Sequence, residues 1–218
     1  NILSNFLTNV VGVKVEGAVP AIPMDKRTSL KKYIAMAVDR KDLTEDEAYS
    51  AMNIIMGDAA TPAQTAAFLV AMRMKGETID EITGFAKGMR SKASVIEGFR
   101  SAIDIVGTGG DMAGTFNIST TSSFVIAAAG IPVAKHGNRA ASSKSGAADC
   151  LDALGVSIKT SPEKASKCLE TTGIAFLFAQ VFHGAMRFVA PVRKEIGCRT
   201  FFNILGPLTN PALADYIV

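Results

Sequence analysis

The sequence predicts an α/β protein: a small all-helical domain near the N-terminus, then a mostly parallel α/β domain that is incomplete at its C-terminal side. Three observations predict it. Residues 28–93 repeat helix-start signals, with apolar residues at three- and four-residue spacing. From residue 103 the period changes to short branched runs alternating with helical ones, the pattern of parallel strands and covering helices. Residues 215–218 then read as the start of a further strand, so the sheet is unfinished.

Residues 1–23 stand outside this plan as a leader or appended segment. They lack the basic start and long apolar core of a secretory signal, and Met24 followed by DKRTSLKKYIAMAV reads as a natural beginning. The helical domain is 24–93. Ser29 caps LKKYIAMAV, Thr44 with Glu47 and Thr78 with Glu81 form capping boxes, and Thr61 precedes Pro62 at a first helical position with Gln64 behind it. Ala67, Leu69, Val70 and Met74 show the apolar recurrence, and the methionines read as core filling. Residues 94–102, containing Gly98, form a linker; 103–218 are the α/β domain.

There, Ile103, Ile105 and Val106 form a strand that Gly107 stops. Gly107, Gly109 and Gly110 give a backbone that can turn several N–H groups toward one anion. Ser119, Thr120 and Thr121 precede the apolar run 124–129, which ends at Gly130; a helix N-terminus there favours an anion through its orphan N–H groups and dipole. A second strand, 131–134, delivers Lys135, His136, Asn138 and Arg139 beyond its end, with Gly137 letting the chain turn. Ser145 opens a helix that stops at Gly155, 156–158 form a short strand, Ser161 and Pro162 open a helix closed by Gly173, and 174–178 form another strand.

Composition narrows the function. A net charge of +3 over 218 residues, spread along the chain, does not mark a nucleic-acid binder. No apolar run reaches the ~18 residues of a spanning helix. Three widely spaced cysteines make neither a zinc site nor a disulfide framework, which points to a reducing cytoplasm. GTGGD at 107–111 is a weak phosphate signal alone, and it is neither the triphosphate loop nor GxGxxG. Asp111 sharpens it: a carboxylate in an anion cradle repels phosphate unless a cation or ligand hydroxyl intervenes, so a magnesium-bound or sugar-bearing phosphate is implied. His136 and His183, the only histidines, stand either as site residues or as satisfied structural ones. Arg193 reads as a carboxylate clamp or a solvated helix charge. No Ser/His/Asp arrangement is apparent.

Four motifs in order carry a resemblance: GTGGD at 107–111, FNIST at 116–120, KHGNRAASSKSGAADCLDALGV at 135–156 and RTFFNILGPLTNPA at 199–212. From Met24 onward the chain resembles the anthranilate phosphoribosyltransferase family, whose architecture the pyrimidine nucleoside phosphorylases share. The resemblance implies transfer of phosphoribosyl from phosphoribosyl pyrophosphate to anthranilate in tryptophan biosynthesis, with Mg2+ and a homodimer formed through the helical domain. It implies that Gly107, Thr108, Gly109, Gly110, Asp111, Thr115, Asn117, Ser119, Thr120, Lys135 and Ser143 hold phosphoribosyl pyrophosphate, Ser119 also serving the metal. Gly107, His136, Asn138, His183 and Arg193 would line the anthranilate path. Two departures stand out: AQVFHGA has Gln180 and Gly184 where the family carries prolines, and the family's acidic magnesium pair falls beyond residue 218, so this piece is expected to be inactive alone. A non-catalytic anion- or nucleic-acid-binding relative and a pyrimidine nucleoside phosphorylase are the competing readings.

Overall fold

A computed structural model describes residues 30–108, 116–140 and 146–218. The leader and the caps expected at Ser29 and Ser145 lie outside the described residues.

Four helices come first: α1 (Lys31–Val38), α2 (Glu45–Met56), α3 (Pro62–Lys75) and α4 (Ile79–Arg90). Their starts are set by side chains, because Thr44, Thr61 and Thr78 each accept the backbone N–H three residues on while Glu47, Gln64 and Glu81 reach back to the cap. Helices α2 and α4 touch closely. A Cβ added at Gly84 would lie 2.2 Å from the Glu45 carbonyl oxygen, so only glycine allows this approach. Met52, Met56, Met72 and Met89 fill the core as expected, but Met74 is 71% exposed and Val70 joins it at the surface. The recurrence at 67, 69, 70 and 74 straddles two faces, and only Leu69 of the four is buried.

The helical core also takes side chains from far along the chain. Val189, Val192, Phe201, Phe202 and Leu205 are buried in it, and the Phe201 ring stacks on Phe85 at 4.1 Å while meeting Phe68 edge-on. These residues belong to α9 (Ala190–Ile196) and α10 (Phe202–Leu208) and their flanks, so a C-terminal segment folds back onto the bundle.

Between them lies the sheet. Its strands are β1 (Ile103–Asp104), β2 (Val133–Gly137), β3 (Ile174–Phe178) and β4 (Tyr216–Ile217), in the order β3-β2-β1-β4, all parallel. Helices α5 (Ile118–Ala128), α6 (Ala147–Ala153) and α7 (Pro162–Thr172) join the first three strands, and α8 (Ala179–Phe182) with a 3-10 turn (Gly184–Phe188) leads on toward α9. Strands β2 and β3 lie to one side of β1 and β4 pairs on its other side. The direction thus reverses at β1, the place where open parallel sheets bind ligands at their carboxyl ends.

Several sequence expectations need correction. The first strand spans only Ile103–Asp104, although the Val106 N–H beyond it still donates to the Val218 carbonyl at 2.9 Å. The second runs Val133–Gly137, so Lys135 and His136 lie inside a strand, held by full register against Phe176 and Leu177. Residues 156–158 are not a strand; Ile158 instead plugs a small cluster with Ala148, Leu151 and Phe178. The first-turn hydroxyls sit inside α5, and its cap is Asn117, whose Oδ1 accepts the Thr120 N–H at 3.2 Å.

Candidate functional site

Strand β2 divides the site. Successive residues of a strand face opposite sides. On one side Ala134 packs with Ala165, Leu169, Ala175 and Leu177 beneath α7, and His136 shares that face. On the other, Lys135 lies with Thr120 and Ser123 of α5 and with Phe176 of β3. Two neighbours in sequence therefore serve two separate chambers.

On the Lys135 side, the ammonium is 3% exposed and donates to the Ile105 carbonyl at 2.5 Å. Burial pulls its pKa below the ordinary lysine value. Asp104, fully buried, accepts the His136 backbone N–H at 3.0 Å through Oδ1, and its Oδ2 has no partner among the described residues. Desolvation raises its carboxyl to about 6. Asn210 braces the strand, donating to the Ala134 carbonyl at 2.8 Å and accepting the Ala212 N–H at 2.7 Å. The first turn of α5 presents Asn117 and Ser119, whose side-chain oxygens lie 3.4 Å apart.

On the other side the His136 and His183 rings lie 5.0 Å apart. His136 Nδ1 meets the Gly206 carbonyl of α10 at 3.1 Å, which assigns the proton to Nδ1 and leaves Nε2 a buried acceptor without a partner among the described residues. Neither ring nitrogen of His183 has a hydrogen-bond partner among the described residues. Burial drives His136 to about 3 and His183 to about 4, so both are neutral. Helix α10 extends this wall, since the Arg193 guanidinium stands 5.2 Å over the ring of Phe202. Among the described residues Arg193 has no ion-pair partner, and burial lowers its pKa.

Of the residues singled out in the sequence, Asn117, Ser119, Thr120 and Lys135 gather around α5 and β2, and His136 with His183 forms the second wall. Gly107 and Thr108 sit exposed after β1. Asn138, also exposed, has its Oδ1 taken by the Arg139 N–H at 2.8 Å and by Gln180 Nε2 at 3.5 Å. Arg139 is engaged elsewhere, by Asp149 and Asp152. Gly109, Gly110, Asp111, Thr115 and Ser143 lie outside the described residues. Asp104, Asn210 and the Gly206 carbonyl were missed. Asp104 carried a signal, being the lone carboxylate inside a branched strand run; Asn210, far along the chain from the strand it braces, carried none.

A parallel sheet with a cation and a helix N-terminus at its reversal point, attached to a helical bundle, is the frame of an enzyme that handles anionic small molecules. Residues 100–218 match the family model described as "Glycosyl transferase family, a/b domain", and residues 31–93 match "Glycosyl transferase family, helical bundle domain". The chain belongs to this glycosyl transferase family.

Its relatives within the family are anthranilate phosphoribosyltransferases. That of Rhizobium johnstonii is 56% identical over 185 residues, which cover 85% of this chain and 55% of the relative. That of Bacillus caldotenax is 55% identical, covering 84% of this chain and 76% of the relative. The crystal structure of the Thermus thermophilus enzyme superposes with a TM-score of 0.82 at 50% identity, covering 85% of this chain and 57% of that one. The Saccharomyces cerevisiae enzyme in complex with PRPP and Mg gives 0.77 at 29% identity, covering 84% of this chain and 55% of that one. The chain thus spans little more than half the length of most relatives it matches.

Proposed function

We propose that this chain carries the substrate sites of an anthranilate phosphoribosyltransferase. It transfers the 5-phosphoribosyl group of phosphoribosyl pyrophosphate to the amino nitrogen of anthranilate and releases pyrophosphate, a step of tryptophan biosynthesis. One observation carries the reading: β2 sets a cationic chamber under Lys135 and a neutral imidazole chamber beside His136, back to back. A charged donor and an aromatic acceptor need those two environments, and the two substrates would meet beyond the carboxyl end of β2.

In the reaction the nitrogen lone pair forms the bond to C1 of the ribose while the bond from C1 to the diphosphate oxygen breaks and its electrons leave with pyrophosphate. The nitrogen then sheds one proton. Positioning and electrostatics dominate, because pyrophosphate leaves readily once its charge is balanced. Lys135 and the α5 N-terminus supply that balance. Neutral imidazoles, in turn, accept an aromatic ring without repelling it, and His136 Nε2 is a buried acceptor suited to an amine hydrogen. With a pKa of about 3 it orients the amine and does not store its proton. Arg193, free of a carboxylate of its own among the described residues, would take that of anthranilate.

The structure of the Saccharomyces cerevisiae relative with PRPP and Mg suggests magnesium here too. The donor set fits a cation delivered on the diphosphate: Asn117 and Ser119 offer oxygens at the start of α5, and no group of three or more His, Cys, Asp or Glu exists among the described residues. Ser119 would hold it, and its chemistry is to neutralise the leaving group.

The helical domain supports a homodimer. Val38, Ala67, Val70 and Met74 line an apolar groove of about 470 Å3 on α1 and α3, with Val38 and Met74 66% and 71% exposed. No helix among the described residues is long and apolar enough to cross a membrane. The free cysteines accord with a reducing cytoplasm.

Calorimetric titration with phosphoribosyl pyrophosphate, with and without magnesium, tests the reading. Binding that strengthens with magnesium and weakens at least tenfold in Lys135→Ala is expected; affinity indifferent to Lys135 would remove the proposed cradle.

A further inference from the structure

Just past the end of β2 the chain is fastened to α6 by one carboxylate. Asp149 Oδ2 accepts the Ala140 N–H at 2.8 Å and the Gly146 N–H at 2.9 Å, and its Oδ1 accepts Arg139 Nη1 at 2.8 Å. Arg139 Nη2 reaches Asp152 at 2.8 Å. The two N–H groups and the guanidinium hold the Asp149 carboxyl below its ordinary value, so it is charged at neutral pH. The approach is close: a Cβ added at Gly146 would lie 2.4 Å from the Ala140 nitrogen and 2.9 Å from the Asn138 carbonyl oxygen. That carbonyl accepts the Ala148 N–H of α6 at 3.3 Å.

We propose that Asp149 is a positioning residue for the acceptor: by clasping residues 138–140 to α6 it fixes the Asn138 carboxamide with its Nδ2 hydrogens available to the acceptor. The inference rests on the transferase reading above, in which Asn138 lines the anthranilate path. The connection is continuous. Asp149 holds Arg139 by its guanidinium and Ala140 by its N–H, and the Arg139 N–H between them donates to Asn138 Oδ1 at 2.8 Å. That bond takes up the carboxamide oxygen and so assigns the amide its orientation; Nδ2 has no partner among the described residues. Asn138 is exposed, and an exposed side chain otherwise samples several rotamers that a ligand must freeze on binding. A clasp that freezes it beforehand lowers that cost. Asp149 thus acts on the acceptor through Asn138 and not by touching it.

A double-mutant cycle on anthranilate affinity, followed by the ligand's fluorescence, tests the proposal. Asn138→Ala and Asp149→Ala are each expected to weaken binding roughly five- to tenfold, and the double variant no further than the weaker-binding single one. Asp152→Asn, which removes only the second Arg139 contact, should stay within about twofold of the unsubstituted chain. If circular dichroism shows Asp149→Ala unfolded, Asp149→Asn, which keeps an acceptor oxygen without the charge, replaces it with a smaller loss expected. An Asp149 that merely supports the fold would weaken binding alike in both backgrounds. Losses that multiply in the double variant, an Asp149 variant that binds undiminished, or an Asp152→Asn loss equal to that of Asp149→Ala therefore overturns the proposal alone. Undiminished binding by Asn138→Ala, or none by the unsubstituted chain, overturns the acceptor reading and the proposal together.

Discussion

The imidazoles of His136 and His183 face each other at 5.0 Å with their planes tilted by 53°, and both are nearly excluded from water. A histidine held below its ordinary 6.5 leaves the unfolded chain binding protons that the native chain refuses. Stability is therefore intact above pH 6.5 and falls as the pH drops toward the folded values of about 4 and about 3. At pH 5 the loss is about 2 kcal/mol per histidine. Asp104 works the other way: held up at about 6, it takes a proton in the native state before the unfolded carboxylate does at 3.8. Two histidines outweigh one carboxyl. Urea midpoints at pH 7.5 and pH 5.0 should separate for the unsubstituted chain, converge in His183→Gln and separate further in Asp104→Asn. Equal separations in all three would show that these groups are not held as buried neutral rings.

Glu81 ties the helical domain together. One oxygen accepts the Leu43 N–H at 2.8 Å; the other accepts the Thr78 N–H at 2.8 Å and Lys75 Nζ at 2.9 Å. The carboxylate is fully buried, so its removal leaves two N–H groups unpaired and takes one of three partners from the Lys75 ammonium, which keeps Asp42 Oδ1 at 2.6 Å and the Gly76 carbonyl at 2.9 Å. Glu81→Ala should cost on the order of 3–5 kcal/mol, against ~1 kcal/mol for loss of an ordinary cap at Thr44→Ala. Denaturant titration of the two variants reads the difference directly.

Gly84→Ala sets two effects against each other. Alanine gains ~1 kcal/mol of helix propensity in α4. The added methyl, however, would meet the Glu45 carbonyl oxygen at 2.2 Å and the Ala48 Cβ at 2.7 Å, and α2 must move away. Overpacking of that kind costs ~1–3 kcal/mol or more, so the variant should be net destabilised. A melting temperature unchanged or raised by Gly84→Ala would mean that α2 and α4 are not in contact there.

The elements that were legible in the sequence were those announced by local chemistry. Thr44, Thr61, Thr78 and Ser161 fixed helix starts because a cap is a contact within three residues. The strand 174–178 was bounded correctly since Gly173, at φ 75°, marks where the preceding helix turns out. Failures came where distant contacts decide. Lys135 and His136 look like a loop by composition, yet register against β3 makes them strand, and that alone sends them to opposite faces. The return of Phe201 and Phe202 to the helical core depends on rings at Phe68 and Phe85 more than a hundred residues earlier. No window of sequence contains both.

The groove on α1 and α3 yields a prediction about association. Met74 and Val70 are apolar side chains outside the buried core of the described residues, and Ile79, five residues beyond Met74, is 84% exposed. If copies of the chain meet there, a charge at the centre must be buried without a partner, which an interface does not tolerate. Met74→Glu should convert a dimer to a monomer in sedimentation velocity while leaving the circular dichroism spectrum unaltered. A monomeric unsubstituted chain at tens of micromolar would sink the dimer reading.

Arg193 gives the sharpest test of the acceptor side. Its guanidinium is half-buried, lies 5.2 Å over the Phe202 ring and pairs with no carboxylate among the described residues. Holding an uncompensated cation in that position costs stability, and a ligand carboxylate would recover it through two parallel N–H bonds. Lysine keeps the charge but loses the planar fork and the stacking, so Arg193→Lys separates geometry from charge. Anthranilate binding, followed by its own fluorescence, should weaken roughly tenfold in Arg193→Lys and on the order of a hundredfold in Arg193→Ala, from ~1.5–3 kcal/mol per charge-assisted contact. Aniline, with the same amine and no carboxylate, should bind all three proteins equally. Were aniline to lose affinity in step with anthranilate, Arg193 would be shaping the chamber through Phe202 and not reading the carboxylate.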